Sequence, residues 1–420
     1  VKQLVRLWSG VHRHAWFARH RRRFRESEPR RPRVYVDVSV IARNDARTGI
    51  QRVVRALWLE LSRRHHPTHD FVPVYAGARH GYRRACWKAT AERPTLTAEV
   101  VKAAPGDHFI GLDLSAHYLP SCTRQLADWR AAGLMTHFVV YDLLPVLQPD
   151  WFNAGTVGHF TRWLDTIAAH GDSLLSISDA VGRQLADHFD PVARPPLGRL
   201  RLSGDLTHSR PTTGIPALVA EQLDAMARRP TLLMVGTVEP RKGYSVALHA
   251  MERLWAAPQS SAPDLMIIGK AGWKTGALQQ QIRQHAEYGR RLHWLEGVSD
   301  EALEVAYARA SALLLATRSE GYGLPLAEAS RHRKWVLARD LPVFREQLLS
   351  NVRYFGDDHP EPLAAAIERI MAVAAQGDPP VQHLLSWAEC ADELLVEIGV
   401  DRPAVVDEPI EQDERRVAAR

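Results

Sequence analysis

The sequence predicts an α/β protein built as two doubly wound, Rossmann-like domains that face each other across a cleft. Three observations carry that expectation. Short apolar runs such as "VYVDVSV" (34–40) and "TLLMVGTV" (231–238) alternate with amphipathic segments, the pattern of a parallel sheet covered on both faces. The alternation begins twice, on either side of a stretch from Asp190 to Gly214 rich in Pro, Gly, Arg and Ser that suits a linker. A chain of 420 residues also exceeds one ordinary core and suits two domains of roughly 150–200 residues.

In the first half, the strand at 34–40 is followed by the amphipathic helix "TGIQRVVRALWLELSRR" (48–64), opened by Thr48-Gly49. "FVPVY" (71–75) and "HFIGLDL" (108–114) read as strands, with 76–106 an irregular insertion between them. A helix at "CTRQLADWRAAG", the strand "THFVVYDLLPV" and a loop with Pro145 and Pro149 follow. The helix "FTRWLDTIAAHG", the strand "SLLSIS" and the helix "DAVGRQLADHF" complete the unit, with Ser178 as the cap of the last helix. The first domain is expected over 34–205.

In the second half, helices at 215–228, 243–256 and 276–288 separate the strands "TLLMVGTV", "DLMIIGK" and "RLHWLEG". "DEALEVAYARA" is helical, "ALLLAT" a strand, and "SEGYGLPLAEAS" (319–330) a glycine loop running into a helix. "KWVLARD" and "VRYFGD" continue the alternation, which places the second domain at 206–385. The segment 386–399 is a final helix, and 400–420 an acidic, solvated tail.

Composition narrows the function classes. The hydrophobic fraction of 45% and charged fraction of 24% are those of an ordinary globular chain. Cys86, Cys122 and Cys390 are widely spaced, with no CxxC pair and no histidine spacing for zinc, so a reducing, cytoplasmic setting without disulfides or a bound metal is expected. The net charge of +6 is concentrated at the start, where residues 1–33 hold eleven Lys or Arg against Glu26 and Glu28. Residues 1–25 suit either a basic amphipathic helix on an anionic membrane surface, peripheral on the inner face of the cell membrane, or a solvated tail. No nucleic-acid module follows the basic run, and nucleic acid is not an expected partner.

The chemistry concentrates in two stretches of the second half. In "SEGYGLPLAEAS", Gly321 and Gly323 permit close backbone approach to a ligand, Pro325 suits the start of a helix, and the first amides of that helix favour phosphate. Glu320 and Glu328 flank this loop, and a carboxylate accepts two hydrogen bonds from a vicinal diol, as on a hexose or a ribose. With Glu328 placed in the first helical turn, its charge would also stabilise the helix through the dipole alone. In "MVGTVEPRKGYSVALHAM", a strand ends at Gly236, and Arg241 and Lys242 stand just before a helix, two cations suited to a diphosphate. Loop, carboxylates and cations together describe a nucleotide-sugar site.

The second half resembles the retaining glycosyltransferases of family 4, which have the two-domain GT-B fold, and it is similar to bacterial polysaccharide mannosyltransferases. "EGYGLPLAE" resembles their E-x7-E motif at Glu320 and Glu328, "VGTVEPRKG" resembles their phosphate-binding motif, and the likeness runs over most of residues 230–350. The resemblance implies that Arg241 and Lys242 hold the diphosphate and that Glu328 holds the ribose. It also implies that Glu320 and the Tyr322–Leu324 backbone contact the sugar and phosphate, and that the backbone around Val298 meets the base. "TGIQRVVRAL" resembles the family's first glycine loop, with Gly49 against the phosphates. In "VVYDLLPVLQP", Tyr141 stands where many members carry His, and Asp142 is a candidate contact for sugar or acceptor as well as an ordinary turn residue. The final helix, in this fold, returns to the first domain.

The expected activity is transfer of a hexose, with mannose favoured, from a nucleotide-diphosphate sugar to a saccharide or lipid-linked acceptor in cell-surface polysaccharide biosynthesis. The favoured donor is GDP-mannose, with a UDP-sugar as the alternative, and no cofactor or obligatory metal is expected. The rival expectations are another GT-B activity, such as a nucleotide-sugar epimerase, and a non-catalytic membrane-associated scaffold.

Overall fold

The computed structural model describes residues 30–401, apart from 78–79, 89–90, 92, 209–213, 227 and 258–260. The basic segment at 1–25 and the acidic stretch from 402 onward therefore lie outside the described residues. The first sheet contains β1 (Arg33–Asp37), β2 (Asp70–Gly77), β3 (Gly81–Cys86), β4 (Thr95–Val100), β5 (His108–Gly111), β6 (Met135–Val140), β7 (Ser173–Ser176) and β8 (Leu197–Arg199). Their spatial order is β4-β3-β2-β1-β5-β6-β7-β8. The second sheet contains β9 (Thr231–Val235), β10 (Asp264–Ile268), β11 (Leu292–Leu295), β12 (Ala312–Leu315), β13 (Trp335–Arg339) and β14 (Val352–Phe355), in the order β11-β10-β9-β12-β13-β14.

All pairings in the second sheet are parallel, which explains why its strands read as continuous apolar runs. Helices cover both faces, so both sides of "TLLMV", "DLMII" and "ALLL" are buried. In each sheet the winding reverses at one place, between β1 and β5 in the first and between β9 and β12 in the second. Loops leaving the carboxyl ends of such a strand pair diverge and leave a crevice, which is where ligands of open α/β sheets bind.

Several expected boundaries shift. The stretch expected as an irregular insertion forms an antiparallel hairpin, β3 and β4, on the edge of the first sheet. Its strands lack the two-sided apolar signature because β4 is almost wholly exposed. The expected linker also contributes to a sheet. Its residues Leu197–Arg199 pair in parallel with β7, and Leu200, Leu202 and Leu206 are buried, so the crossover between domains is shorter than its composition suggests. The helix expected at 276–288 ends at Gln284, and that expected at 215–228 spans Ala217–Met226. The first strand stops at Asp37, whose carboxylate accepts from the Ser39 amide at 2.9 Å and turns the chain.

The helix Trp387–Glu397 crosses back to the first domain. Trp387, Cys390, Ala391, Leu394 and Leu395 join the core formed by β1 and the helix Gly49–Arg63, and Trp387 Nε1 donates to Asp205 O at 2.8 Å. Among the described residues, no helix is long and apolar enough to cross a membrane.

Candidate active site

The carboxyl ends of β9 and β12, on either side of the second reversal, carry the two motif loops. After β9 the chain passes Gly236 (φ 137°) and makes a single turn over Pro240–Lys242, then enters the helix Tyr244–Ala256 through Gly243 (φ 71°). A Cβ on Gly243 would run into the Ala316 carbonyl, just beyond β12, so the glycine lets the two loops lie against each other. That contact brings Arg241 and Lys242 to Glu320. Arg241 Nη1 lies 2.9 Å from Glu320 Oε2, and Lys242 Nζ lies 2.6 Å from Glu320 Oε1. Arg241 also reaches Glu239 at 2.8 Å and donates to Ser319 O at 2.8 Å.

All three side chains are largely buried, and their electrostatics are decided by one another. Burial works against ionisation of Glu320, but Arg241 and Lys242 outweigh it and hold its pKa at about 2. Burial raises the pKa of Glu239, with Arg241 and Lys242 opposing. Asp142, from the first domain, is also pushed up by burial, and Arg241 counters that effect most strongly. Asp142 Oδ1 accepts from the Leu144 amide at 3.0 Å and caps the turn after β6.

The glycine loop spans the two domains. A Cβ on Gly321 would collide with the carbonyl oxygen of Tyr141, so only glycine fits at this approach. Ser178 Oγ accepts from Val181 N at 3.1 Å as the expected cap, and donates across the cleft to Gly321 O at 2.7 Å. Tyr322 OH donates to Leu202 O at 2.6 Å. Gly323 adopts φ 89° and starts the helix Leu324–Arg331, with Pro325 in its first turn. Facing it, Gly49 begins the helix Gly49–Arg63, and Gln51 Oε1 accepts from the Thr48 amide at 3.1 Å. A Cβ on Gly49 would lie 3.3 Å from Leu324 Cδ1, so the two helix starts meet across the crevice.

One expectation needs correction. Glu328 is the fifth residue of its helix, not in the first turn, because the helix begins at Leu324. It is 1% exposed; Arg52 Nη1 lies 2.8 Å from its Oε1 and Tyr307 OH donates to its Oε2 at 2.6 Å. Tyr141 turns its side chain inward and donates to Leu112 O at 2.7 Å. Val298 stands after the edge strand β11, half-buried, two residues before Asp300. The structure thus clusters Arg241, Lys242, Glu320 and Asp142, aligns Gly49 with Leu324, and places Val298 two residues before Asp300, which shares Arg52 with Glu328. Arg52, Glu239, Asp300 and Tyr307 escaped the sequence reading, and Ser178 was foreseen as a helix cap but not as a donor to the glycine loop. Only Arg52 and the buried Arg55 left a trace, as charges interrupting the apolar run "RVVRALWLEL".

Comparison with known proteins agrees with this architecture. Residues 220–375 match the family model described as glycosyl transferases group 1. The serotype-specific mannosyltransferase WbdA of Escherichia coli is 36% identical over 384 residues, covering 89% of this chain and 46% of that protein. The chain thus spans about half the length of the curated relatives it matches first. Sucrose-phosphate synthase of Thermosynechococcus elongatus superposes with a TM-score of 0.58 at 16% identity, over 88% of this chain and 95% of that one. Anabaena HepE in complex with UDP and glucose gives 0.57 at 13% identity, over 87% and 98%. Residues 220–375 are thus similar to the glycosyl transferases group 1 family, and the whole has the two-domain GT-B architecture.

Proposed function

We propose that the protein is a retaining glycosyltransferase that moves mannose from GDP-mannose to a saccharide or lipid-linked acceptor in cell-surface polysaccharide synthesis. The observation that carries the proposal is the convergence of Arg241, Lys242 and Glu320 at the reversal of the second sheet, opposite the Gly49 helix start. The preference for mannose is supported by the 36% identity to a protein named as a mannosyltransferase.

The chemistry follows from the charges. Glu320 is ionised at any ordinary pH and pairs with both Arg241 and Lys242. An incoming diphosphate offers those cations more negative charge, and a bidentate edge to Arg241, so they exchange partners. Glu320 is then free to accept hydrogen bonds from sugar hydroxyls. As the glycosidic bond breaks, charge grows on the leaving diphosphate. Arg241, Lys242 and the first amides of the helix Leu324–Arg331 stabilise that charge more than they stabilise the bound donor. The departing phosphate takes the acceptor's proton while the acceptor attacks from the same face, so no enzyme nucleophile is required. Closure of the domains excludes water that would otherwise hydrolyse the donor.

The test is incubation of the protein with a panel of nucleotide sugars and saccharide acceptors, with released nucleoside diphosphate as the readout. GDP should appear from GDP-mannose, dependent on acceptor. No release from any donor above that of a Lys242→Ala variant would overturn the proposal.

A further inference from the structure

The contact between Arg52 and Glu328 carries a consequence for donor entry. Arg52 belongs to the first domain, one helical turn beyond Gly49, while Glu328, Asp300 and Tyr307 belong to the second. The guanidinium spends one nitrogen on each carboxylate: Nη1 to Glu328 Oε1 and Nη2 to Asp300 Oδ1, both at 2.8 Å. The Arg52 and Asp300 side chains are 15% and 20% exposed, and Glu328 is essentially inaccessible, so neither ion pair is strongly screened by salt.

We propose that Arg52 is a latch across the cleft. Its guanidinium competes with the donor's ribose for Glu328, and donor entry requires both ion pairs to open. The proposal rests on the donor site described above, with Glu328 as the ribose acceptor. The geometry gives the opening a defined outcome. Tyr307 stays with Glu328 when the domains part and keeps its carboxylate oriented through Oε2, while Arg52 departs with the first domain and uncovers Oε1. Gly49 moves on the same helix as Arg52, so the release of Glu328 and the separation of the two phosphate-facing helix starts are a single motion. Arg52 is a positioning residue here, acting through Glu328 and not on the reacting atoms.

Titration calorimetry with GDP and with UDP, each also as its 2′,3′-dideoxy form, tests this on wild type, Arg52→Ala and Asp300→Asn. A latch closed about nine-tenths of the time lowers apparent affinity about tenfold. Arg52→Ala should therefore bind the ribonucleotide about tenfold tighter, and Asp300→Asn, which keeps the Glu328 pair, about threefold tighter. A purely structural arginine would instead lower melting temperature and leave or weaken nucleotide binding. Unchanged or weaker binding in both variants overturns the latch. If wild type binds the dideoxy and ribo forms equally, the ribose contact itself is absent and the latch falls with it. If the dideoxy forms bind weakly while the variants match wild type, the latch alone falls. Absence of binding by either nucleotide to wild type removes the donor site altogether.

Discussion

Lys242 and Glu320 lie 2.6 Å apart, yet their removal should have different consequences. In the proposed transfer Lys242 would meet charge that grows as the donor breaks, so Lys242→Ala should lower turnover by about 10²–10³-fold, the scale for one preorganised electrostatic contact. Wild-type turnover in that variant would remove it from the catalytic group. Glu320 holds the two cations that the proposed mechanism gives to phosphate. Glu320→Gln should therefore leave nucleoside diphosphate affinity unchanged or higher while transfer falls at least tenfold. Equal losses in both, seen by pairing calorimetry with steady-state rates, would mark Glu320 as a folding residue. The identities of these side chains were readable from two short motifs. Their mutual neutralisation was not, because residues 242 and 320 meet only through packing of the β9 and β12 loops.

At the scale of elements, the glycine loop and the helix it starts are held between the domains by backbone contacts as much as by side chains. Gly321 lies against the Tyr141 carbonyl, Ser178 donates to the Gly321 carbonyl, and Glu346 accepts from the amides of Asp179 and Ala180 at 2.9 Å each. Glu346 thus supplies, from the other domain, a negative charge at a helix amino terminus. Gly321→Ala should hold the domains apart without unfolding either, because the clash is with backbone that cannot rotate away. Circular dichroism should match wild type, small-angle scattering should report a larger radius, and transfer should drop at least tenfold. Unchanged activity would show that this approach does not matter to closure. The strands of the second sheet were legible because burial on both faces leaves unbroken apolar runs. The β3–β4 hairpin was not, because an exposed edge needs no such run.

At the scale of the whole molecule, the first domain carries a buried carboxylate pair whose titration affects its stability. Burial raises Asp37 from 3.8 to about 6 and Asp113 from 3.8 to about 7, against hydrogen bonds from Ser39 and Tyr82 to the former and the Val40 and Ile41 amides to the latter. Raised acid pKa values mean that the folded state binds more protons between about pH 4 and 7, so the pair's contribution is complete below pH 4 and declines up to about pH 7. Glu320, held at about 2, acts oppositely and only below its ordinary value of 4.5. Asp113→Asn should flatten the fall in unfolding free energy between pH 4 and 7, measured by denaturant titration. An unaltered slope would show that the pair is ionised in the fold. The final helix joins the molecule the other way. Truncation before Ser386 removes Trp387, Leu394 and Leu395 from the first domain's core, each worth about 2–5 kcal/mol, and should unfold that domain under proteolysis while the second remains resistant.

Periodicity and spacing alone determined that the chain is doubly wound α/β, that the pattern starts twice, and that its carboxylates and cations cluster in two loops of the second half. These are local properties, set by which faces of a strand or helix are buried and by what a glycine turn permits. Tertiary structure alone decided that Glu328 faces Arg52, that Ser178 and Glu346 hold the domains together, and that part of the apparent linker pairs as a strand. Each of those contacts joins residues more than a hundred positions apart or depends on a neighbouring strand, and charge complementarity over such separations leaves no periodic trace in the chain.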